Sequence, residues 1–299
     1  MATVQTSLQA LSGEIRTLTA QVARATVSIR GPRQRPTTGT IVGADRVIAI
    51  LHVIGRDAVT VHTDDGREIE GKVVGRDDTR DLALIEAPGL AGSPLPAAEA
   101  DVQVGDIVLA VSRNWHGRPA ASLGVVGAVG GPVSIGRHFA LERIIRADVT
   151  STRGLSGSPL VNAAGELVGI LNAGLSRGVP LAVPIAEVER SVSALAEHGR
   201  IRRGYLGIGL QPVAVPQRQH AAGSGLLIVS VEASSPADQA QLFVGDIILR
   251  AGGQAVEDFD DLQEWLKGDR IGTPMALEIL RGDRVLTIDV TVGERTPRA

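Results

Sequence analysis

Short runs of β-branched and aliphatic residues follow one another from Ala25 to about Val183, and Gly, Pro or Asp residues separate them. ATVSIRG, AVTVHT and DIVLAVS are typical of these runs. Many short strands with regular turn signals between them indicate an all-β sandwich or a pair of barrels. The sequence therefore predicts that this part of the chain is built mainly from β-strands.

The residues before this region have a helical pattern. Apolar side chains recur there at alternating three- and four-residue spacings, which places them on one stripe of an amphipathic helix. The stripe consists of Val4, Leu8, Leu11, Ile15, Leu18 and Val22. Such a helix can pack on its own domain or mediate contacts between copies of the chain, and the pattern does not decide between these two roles.

A second change of pattern follows the β-rich region. A helical stretch at 185–197 leads into a basic segment, and beyond it strands alternate with two short helical stretches. The length of 299 residues also favours two domains over one. The predicted parts are an N-terminal helix (1–24), a β domain (25–198), a linker (199–204) and a small α/β domain (205–295).

Composition and charge exclude several classes of partner. Lys and Arg total 30 and Asp and Glu total 33, which gives a net charge of -3, and aromatic residues make up only 2%. Without a basic stripe or stacking platforms, we expect no binding of nucleic acid. The chain has no cysteine, and its histidines lack the spacing of metal ligands, so we expect no metal and no cofactor.

The N-terminal segment carries the information on location. MATVQTSLQALSGEIRTLTAQ lacks a basic head followed by a long apolar run. No later segment approaches the ~20 apolar residues of a membrane span. We therefore expect no membrane span in this chain and, as the sequence reads, a cytoplasmic protein. If a signal or anchor has been removed, a periplasmic or other extracytoplasmic location follows instead.

Ser156 lies in the segment STRGLSGSPLVNAAG, ahead of a strand-turn-strand pattern. A nucleophilic hydroxyl needs a tight turn, so that neighbouring backbone N–H groups point at the oxyanion that forms on the carbonyl under attack. Gly154 can adopt the conformations that such a turn requires, and the amides of Gly154 and Ser156 would form the oxyanion hole. Alone, this pattern is weak evidence, because serine-glycine turns are common.

A serine nucleophile needs a base, and a histidine and a carboxylate occur upstream in fitting positions. His52 follows the apolar run RVIAIL, and Asp81 opens DLALIEAP after a polar loop. The order His, Asp, Ser is that of the chymotrypsin-type arrangement and differs from the subtilisin and α/β-hydrolase orders. His52, Asp81 and Ser156 are therefore the candidate catalytic triad.

Three segments together resemble the HtrA/Deg family of trypsin-like serine proteases: GTIVGADRVIAILHVIG, GRDDTRDLALIEAP and ADVTSTRGLSGSPLVNAAGELVGI. In the second domain, the residues from Arg203 to Ile208 and the stretch SSPADQAQLFVGDIILRAGGQAV are similar to the PDZ domain of that family. The resemblance implies a chymotrypsin-like double six-stranded β-barrel, an active site between the barrels and a C-terminal PDZ domain. It further implies endoproteolysis of unfolded or damaged proteins by a homo-oligomer, commonly a trimer.

By this resemblance, His52 is the general base, Asp81 orients it and Ser156 is the nucleophile. Some neighbouring residues depart from the family pattern, and none of these changes removes a triad group. Loss of polar support around Asp81 would nevertheless misorient His52. The departures are Leu155 for the Asn or Asp that usually precedes the serine, Ser158 for a glycine, and Ala49-Ile50-Leu51 for a polar run.

Substrate preference is partly readable. The position six before the nucleophile, which is acidic in trypsin-like enzymes that cut after Arg or Lys, is Thr150. Ala173, Leu181 and Ala182 lie near the expected pocket wall, so we predict cleavage after small or medium aliphatic residues. Arg153, beside the oxyanion turn, is either part of a switching Arg153-Gly154 peptide or a solvated loop charge.

In the second domain, backbone amides are expected to bind the terminal carboxylate of a peptide with an apolar C-terminus, while the peptide adds a strand to the sheet edge. A helix on a small sheet must also bury apolar residues, so at least one of the three helical candidates is expected to serve only the core. The candidate peptide-binding residues are Tyr205, Leu206, Gly207, Ile208, Leu262, Trp265 and Leu266.

Two functions remain open at this point. The first is a serine endopeptidase that acts on unfolded proteins. The second is a catalytically silent, HtrA-like peptide-binding or chaperone protein, in which the barrels only support the peptide groove. Labelling of Ser156 by a fluorophosphonate separates the two, because only an activated serine reacts.

Overall fold

The computed structural model describes residues 2–31, 35–54, 58–113, 116–131, 133–135, 139–175, 179–201, 204–215, 223–266 and 270–294. The chain divides into two compact units, Met1–Ile201 and Arg202–Ala299. Of the predicted boundary residues, 202, 203 and 295 lie outside the described ranges.

The first unit opens with a helix and a closed β-barrel. Helix α1 spans Ala2–Ala23. The barrel strands are β1 (Thr26–Arg30), β2 (Thr37–Gly43), β3 (Arg46–Ile50), β4 (Ala58–His62), β5 (Glu68–Asp77) and β6 (Leu82–Glu86). They close in the order β1-β2-β3-β6-β5-β4. A short helix, α2 (Leu51–Ile54), follows β3 directly.

A second closed barrel completes this unit. Its strands are β7 (Ile107–Arg113), β8 (Pro119–Gly130), β11 (Ile144–Ala147), β12 (Pro159–Asn162), β13 (Leu167–Asn172) and β14 (Leu181–Pro184), in the order β11-β14-β13-β12-β7-β8. Between β8 and β11, a separate hairpin is formed by β9 (Val133–Ile135) and β10 (Phe139–Leu141). Helix α3 (Ile185–His198) follows, and Gly199 caps it in the left-handed conformation at φ 70°.

Two six-stranded barrels confirm the predicted fold class of this region. Each barrel has its own apolar core, and a third buried cluster joins residues of both barrels and of α3. In that cluster, Ile48 and Ile50 of β3 pack with Ile170 of β13. Burial of this apolar surface holds the barrels together and sets the ends of β3 and β13 beside each other.

Helix α1 shows features of both roles that its pattern left open. Near its C-terminal end, Val22 and Ala23 are buried against Leu109 and Val111 of the second barrel. Farther toward the N-terminus, Leu8 and Leu11 are 63% and 49% exposed. The end of the helix therefore packs on its own domain, while part of the stripe faces solvent.

The second unit is a small α/β domain. Its elements are β15 (Gly204–Tyr205), β16 (Ile208–Ala214), β17 (Ser224–Val231), α4 (Pro236–Gln239), β18 (Ile247–Ala251), β19 (Gln254–Ala255), α5 (Phe259–Trp265), β20 (Pro274–Arg281), β21 (Arg284–Thr291) and β22 (Gly293–Glu294). The main sheet has the order β16-β17-β18-β20-β21, with β19 paired to β18. Strand β16 thus lies at one edge of the sheet.

Within the described ranges, none of the helices combines the length and the apolar character needed to cross a membrane.

Candidate active site

His52 and Asp81 come together because β3 and β6 are paired antiparallel strands. His52 lies in α2, directly after β3, and Asp81 is the residue before β6. The Leu51 N–H donates to the Asp81 carbonyl at 2.8 Å and continues the ladder by one step. Asp81 has φ 58°, a left-handed conformation that is uncommon for residues other than glycine and is enriched in Asp and Asn.

The Asp81 carboxylate holds the His52 ring. One oxygen is hydrogen-bonded to His52 Nδ1, and the other accepts from the His52 backbone N–H at 2.9 Å. Asn172 Nδ2 adds a bond to the first oxygen at 2.9 Å. Asp81 is 5% exposed, so these bonds replace the water that a buried carboxylate loses. The hydrogen bond to Asp81 raises the pKa of His52 above its ordinary value, and the charge of Asp81 adds to this effect against the burial of the ring.

A buried ionic network lies next to Asp81. Arg80 Nε donates to Glu187 of α3 at 2.9 Å, and Arg80 Nη1 lies 3.3 Å from Asp77. Asp77 also accepts a hydrogen bond from Ser191 of α3 at 2.6 Å. The groups that bind the Asp81 carboxylate itself are the His52 ring and backbone N–H and the Asn172 amide, and these provide the polar support that the apolar residues 49–51 do not.

Ser156 lies in a turn of the second barrel formed by residues 154–158, called the nucleophile turn below. Gly154 has φ 90° there, and an added Cβ would come within 2.4 Å of the Arg113 carbonyl oxygen. Leu155 is 1% exposed and packs in the core of the barrel. An apolar side chain at this position therefore anchors the turn by burial, where a polar one would need partners.

The Ser156 hydroxyl and the His52 ring meet the same segment of chain after β13. Ser156 Oγ accepts from the Ala173 N–H at 3.2 Å. The His52 ring lies over Gly174, where an added Cβ would be 2.5 Å from Cε1 and 2.8 Å from Nε2. Among the described residues, no hydrogen bond joins Ser156 Oγ to His52. Catalytic hydrogen bonds are often long or unaligned without substrate, so the absence of this bond does not exclude His52 as the base for Ser156.

The predicted oxyanion donors are available. Within the described part of the chain, neither the Gly154 N–H nor the Ser156 N–H donates to a protein acceptor. By contrast, the Gly157 N–H donates to Leu171 at 2.8 Å. Arg153 is exposed to solvent.

The predicted pocket residues do not all lie together. Ala173 and Ala182 pack in the core cluster of the second barrel, whereas the Leu181 side chain lies in the cluster between the barrels. Adjacent residues of β14 point to opposite faces, which explains the difference. Thr150 is exposed, and its backbone N–H is bound by the Ser122 hydroxyl at 2.8 Å.

In the second unit, the predicted carboxylate-binding loop lies before edge strand β16. Gly207 has φ 79°, and an added Cβ would come within 2.2 Å of Ser235 Cβ. Leu206 is buried in the core of this unit, and Tyr205 donates to Glu232 at 2.5 Å. Only glycine fits the backbone at the centre of this loop.

The three helical candidates differ in how deeply they are buried. Leu262 is buried in the core of the second unit, as expected for at least one of them. Trp265 and Leu266 are partly buried against the same core. The Trp265 ring lies at Gly252, between β18 and β19, where it would meet an added Cβ. The Arg270 guanidinium lies 4.5 Å from the centroid of the Trp265 ring.

Sequence reasoning missed Asn172 and three threonines of β2 that contact the nucleophile turn. An asparagine that ends the apolar run LVGILN and a TTGT run that opens a strand were the available signals. In the described ranges, no group of three or more His, Asp or Glu side chains is placed to hold a metal ion.

The double barrel and the His52 ring held by the buried Asp81 carboxylate define a trypsin-like serine peptidase, and the second unit presents β16 as an edge strand. Residues 37–170 match the family model "Trypsin-like peptidase domain". Residues 204–292 match the family model "PDZ domain".

Relatives extend this similarity to most of the chain. The serine protease HhoB of Synechocystis sp. is 31% identical over 280 residues, which is 88% of this chain and 67% of that protein. A DegP-like periplasmic serine endoprotease of Brucella suis is 30% identical over 271 residues, or 85% of this chain, and the chain spans about half (52%) of its length. The chain therefore belongs to the HtrA/Deg family of serine proteases.

Solved structures agree on the fold. The serine endoprotease from Yersinia pestis has a TM-score of 0.76 and 25% identity, with 94% of this chain and 98% of that chain covered. The HtrA-type protease AlgW with decapeptide has the same TM-score and coverage at 24% identity. Several relatives are named periplasmic, which does not support the expected cytoplasmic location.

Proposed function

We propose that this chain cleaves unfolded or damaged proteins through an acyl-enzyme at Ser156. The observation that carries the proposal is the buried Asp81 carboxylate, which fixes the His52 ring beside the segment that contacts Ser156. Asp81 binds Nδ1 and leaves Nε2 free to accept a proton. His52 then takes the Ser156 proton as Oγ attacks the substrate carbonyl, and returns it to the leaving amine.

The amides of Gly154 and Ser156 serve as the oxyanion hole in this scheme. Both belong to the nucleophile turn, and neither has a protein acceptor within the described ranges. Donors fixed before the reaction stabilise the developing oxyanion without reorganisation.

Small side chains support a preference for small or medium aliphatic residues at the cleaved position. Thr150 supplies no negative charge for a basic side chain, and the partly buried Ala173 adds apolar surface of small size. Ala182 is 0% exposed and serves the core of the second barrel. The position of the Leu181 side chain, between the barrels, argues that it does not take part in this pocket.

Degradation of casein by the wild type and by Ser156→Ala tests the proposal. The wild type is expected to produce fragments and to be labelled by a fluorophosphonate at Ser156. The variant is expected to do neither while its circular dichroism spectrum stays the same. A wild type that is not labelled but binds peptides with apolar C-termini would establish the silent peptide-binding alternative.

Residues 206–208 and edge strand β16, with the partly buried Trp265 and Leu266, are proposed to bind peptides with a free apolar C-terminus. Gly207→Ala is expected to lower the affinity for such a peptide by about tenfold or more, because the new Cβ would contact Ser235 and the loop must shift. Gly282→Ala is the matched control: Gly282 also has a positive φ, 64°, but open space around it. Equal affinity of both variants, measured by fluorescence anisotropy, would contradict this site.

We also propose that the chain forms a homo-oligomer, a trimer by resemblance to the family, and that it acts in the periplasm. Exposed Leu8 and Leu11 on α1 support contacts between copies. Leu8→Glu with Leu11→Glu is expected to lower the mass measured by sedimentation equilibrium. An unchanged mass would exclude this stripe from the contact.

A further inference from the structure

Strand β2 of the first barrel holds the nucleophile turn of the second barrel through three threonine hydroxyls. Each hydroxyl donates to a backbone carbonyl of the turn, and all three threonines are buried. The three pairs are Thr37 with the Ser156 carbonyl at 2.8 Å, Thr38 with the Gly154 carbonyl at 2.6 Å and Thr40 with the Gly157 carbonyl at 2.8 Å.

Thr38 differs from its two neighbours because its hydroxyl is bonded on both sides. The Thr38 hydroxyl donates a hydrogen bond to the Gly154 carbonyl, and its oxygen accepts one from the Arg113 backbone N–H at 2.7 Å. Thr38 is 0% exposed, so no water can replace either hydrogen bond unless the surrounding residues rearrange. The hydroxyl therefore has one orientation, and it fixes the Gly154 carbonyl in one direction.

Arg113 is itself immobilised. Its side chain is 2% exposed, and its carbonyl lies behind Gly154, at the place that a Cβ would occupy. Its guanidinium donates to Thr26 Oγ1 (2.8 Å), the Thr26 carbonyl (3.0 Å), the Ala23 carbonyl (2.5 Å), the Gly117 carbonyl (3.2 Å) and Asp64 (2.6 Å). The support for Thr38 thus extends from the nucleophile turn to the end of helix α1.

We propose that Thr38 is a positioning residue for the oxyanion hole, and this rests on the function proposed above. Gly154 contributes its N–H to the hole and its carbonyl to Thr38. The Gly154 N–H and carbonyl belong to two peptide planes that meet at its Cα, so the N–H direction depends on how the second plane is held and on rotation at Cα. Thr38 holds the second plane, and the Arg113 carbonyl packed against Cα leaves little room for that rotation. The Thr38 bond therefore keeps the Gly154 N–H directed at the oxyanion before substrate arrives.

Thr38→Val removes the hydroxyl and retains the shape of the side chain. It leaves the Gly154 carbonyl and the Arg113 N–H without partners in a buried place, so the turn is expected to relax toward other acceptors and donors. The expected result is a fluorophosphonate labelling rate of Ser156, per folded molecule, that falls about 10- to 100-fold. Thr38→Ser retains the hydroxyl and is expected to restore the rate to within about threefold.

A pair of ligands separates positioning from general stability. A peptide boronate forms a tetrahedral adduct with Ser156 and places an oxygen in the oxyanion hole, whereas the matching peptide amide binds only the substrate cleft. Thr38→Val is expected to lower the affinity for the boronate about 10- to 100-fold and to leave the affinity for the amide unchanged. Thr17→Val is the matched control, because the Thr17 hydroxyl also donates to a carbonyl, that of Gly13 at 3.0 Å, on the exposed helix α1.

The outcomes are distinct. An active wild type with a Thr38→Val variant that is labelled at the same rate overturns the role of Thr38 and leaves the proposed function intact. Equal weakening of boronate and amide also overturns it, because a role in general structure would affect both. A wild type that is not labelled overturns both proposals. If Thr38→Val does not fold, Thr38→Ala, which introduces no new methyl group at the Oγ position, is measured in the same way with the same expectations.

Discussion

The two halves of the candidate active site are held in different ways. In the first barrel, the His52 ring and the Asp81 carboxylate bind each other directly, and Asn172 of the second barrel adds a hydrogen bond to the carboxylate. In the second barrel, Ser156 is placed by its backbone: the turn that carries it is held at three carbonyls by β2 and by the burial of Leu155.

This difference has a functional meaning. A charged pair is set by side-chain identity, so that one substitution changes both its geometry and its protonation. A nucleophile turn is set by many neutral hydrogen bonds, each of modest strength, so that its geometry can be adjusted without loss of a charge. We therefore expect large effects from changes in the first half and graded effects from changes in the second.

Asp81→Asn is expected to have the largest effect among these variants, with kcat lowered about 10³- to 10⁴-fold at neutral pH, because the amide favours the wrong His52 tautomer. His52 must be neutral to act as a base, so activity rises as the pH passes above its pKa. Since Asp81 raises that pKa, the rise lies at higher pH in the wild type and moves to lower pH in the variant. The pH dependence of kcat/KM measures both effects.

Asp45→Asn is the control for this change. Asp45 also has a left-handed backbone, with φ 56°, and its carboxylate accepts backbone N–H groups of Gly89 and Leu90 at 2.8 and 3.1 Å. Its variant is expected to keep the wild-type pH profile. If kcat/KM of Asp81→Asn rises at the same pH as in the wild type, Asp81 does not set the protonation of His52.

Asn172→Ala is expected to have an intermediate effect, a reduction of kcat by about 10- to 100-fold, because it removes a hydrogen bond to a buried charge. Asn162→Ala provides the comparison: the Asn162 amide donates to Glu166 at 2.8 Å in the β12–β13 turn of the same barrel. In steady-state kinetics, the kcat of that variant is expected to stay near the wild-type value. Equal loss in both would assign Asn172 a general structural role.

Ser158→Ala is expected to have the smallest effect. Among the described residues, the buried Ser158 hydroxyl has no hydrogen-bond partner, so its removal should leave the unfolding free energy unchanged or raise it by up to about 1 kcal/mol. Ser191 is equally buried but donates to Asp77 at 2.6 Å. Ser191→Ala is expected to lose about 1–3 kcal/mol in urea unfolding. A larger loss in Ser158→Ala than in Ser191→Ala would show that the Ser158 hydroxyl stabilises the nucleophile turn.

The same contrast explains what the sequence could predict. His52, Asp81 and Ser156 carry rare chemistry in a recognisable order, and regular strand signals indicated the barrels. Asn172 and Thr38 are ordinary polar residues, and their partners lie 91 and 116 positions away along the chain. No local pattern contains such pairs, because they exist only after both barrels have packed together.

The Leu181 side chain illustrates a finer limit. It was expected at the pocket wall together with its neighbour Ala182, but adjacent residues in a strand face opposite sides. Which of the two faces the barrel interior depends on the register of β14 with β13, and the structure sets Ala182 opposite Leu171. Register is a property of the assembled sheet and is not written in a four-residue segment.

The central claim is that His52, held by Asp81, activates Ser156. The most direct test is the rate of fluorophosphonate labelling as a function of pH, with the labelled residue located by mass spectrometry, for the wild type and His52→Ala. We predict a single label on Ser156 whose rate rises with pH through one ionisation above the ordinary pKa of histidine, and loss of this rise in the variant. A label on another residue, or the same pH profile in both proteins, would contradict the account.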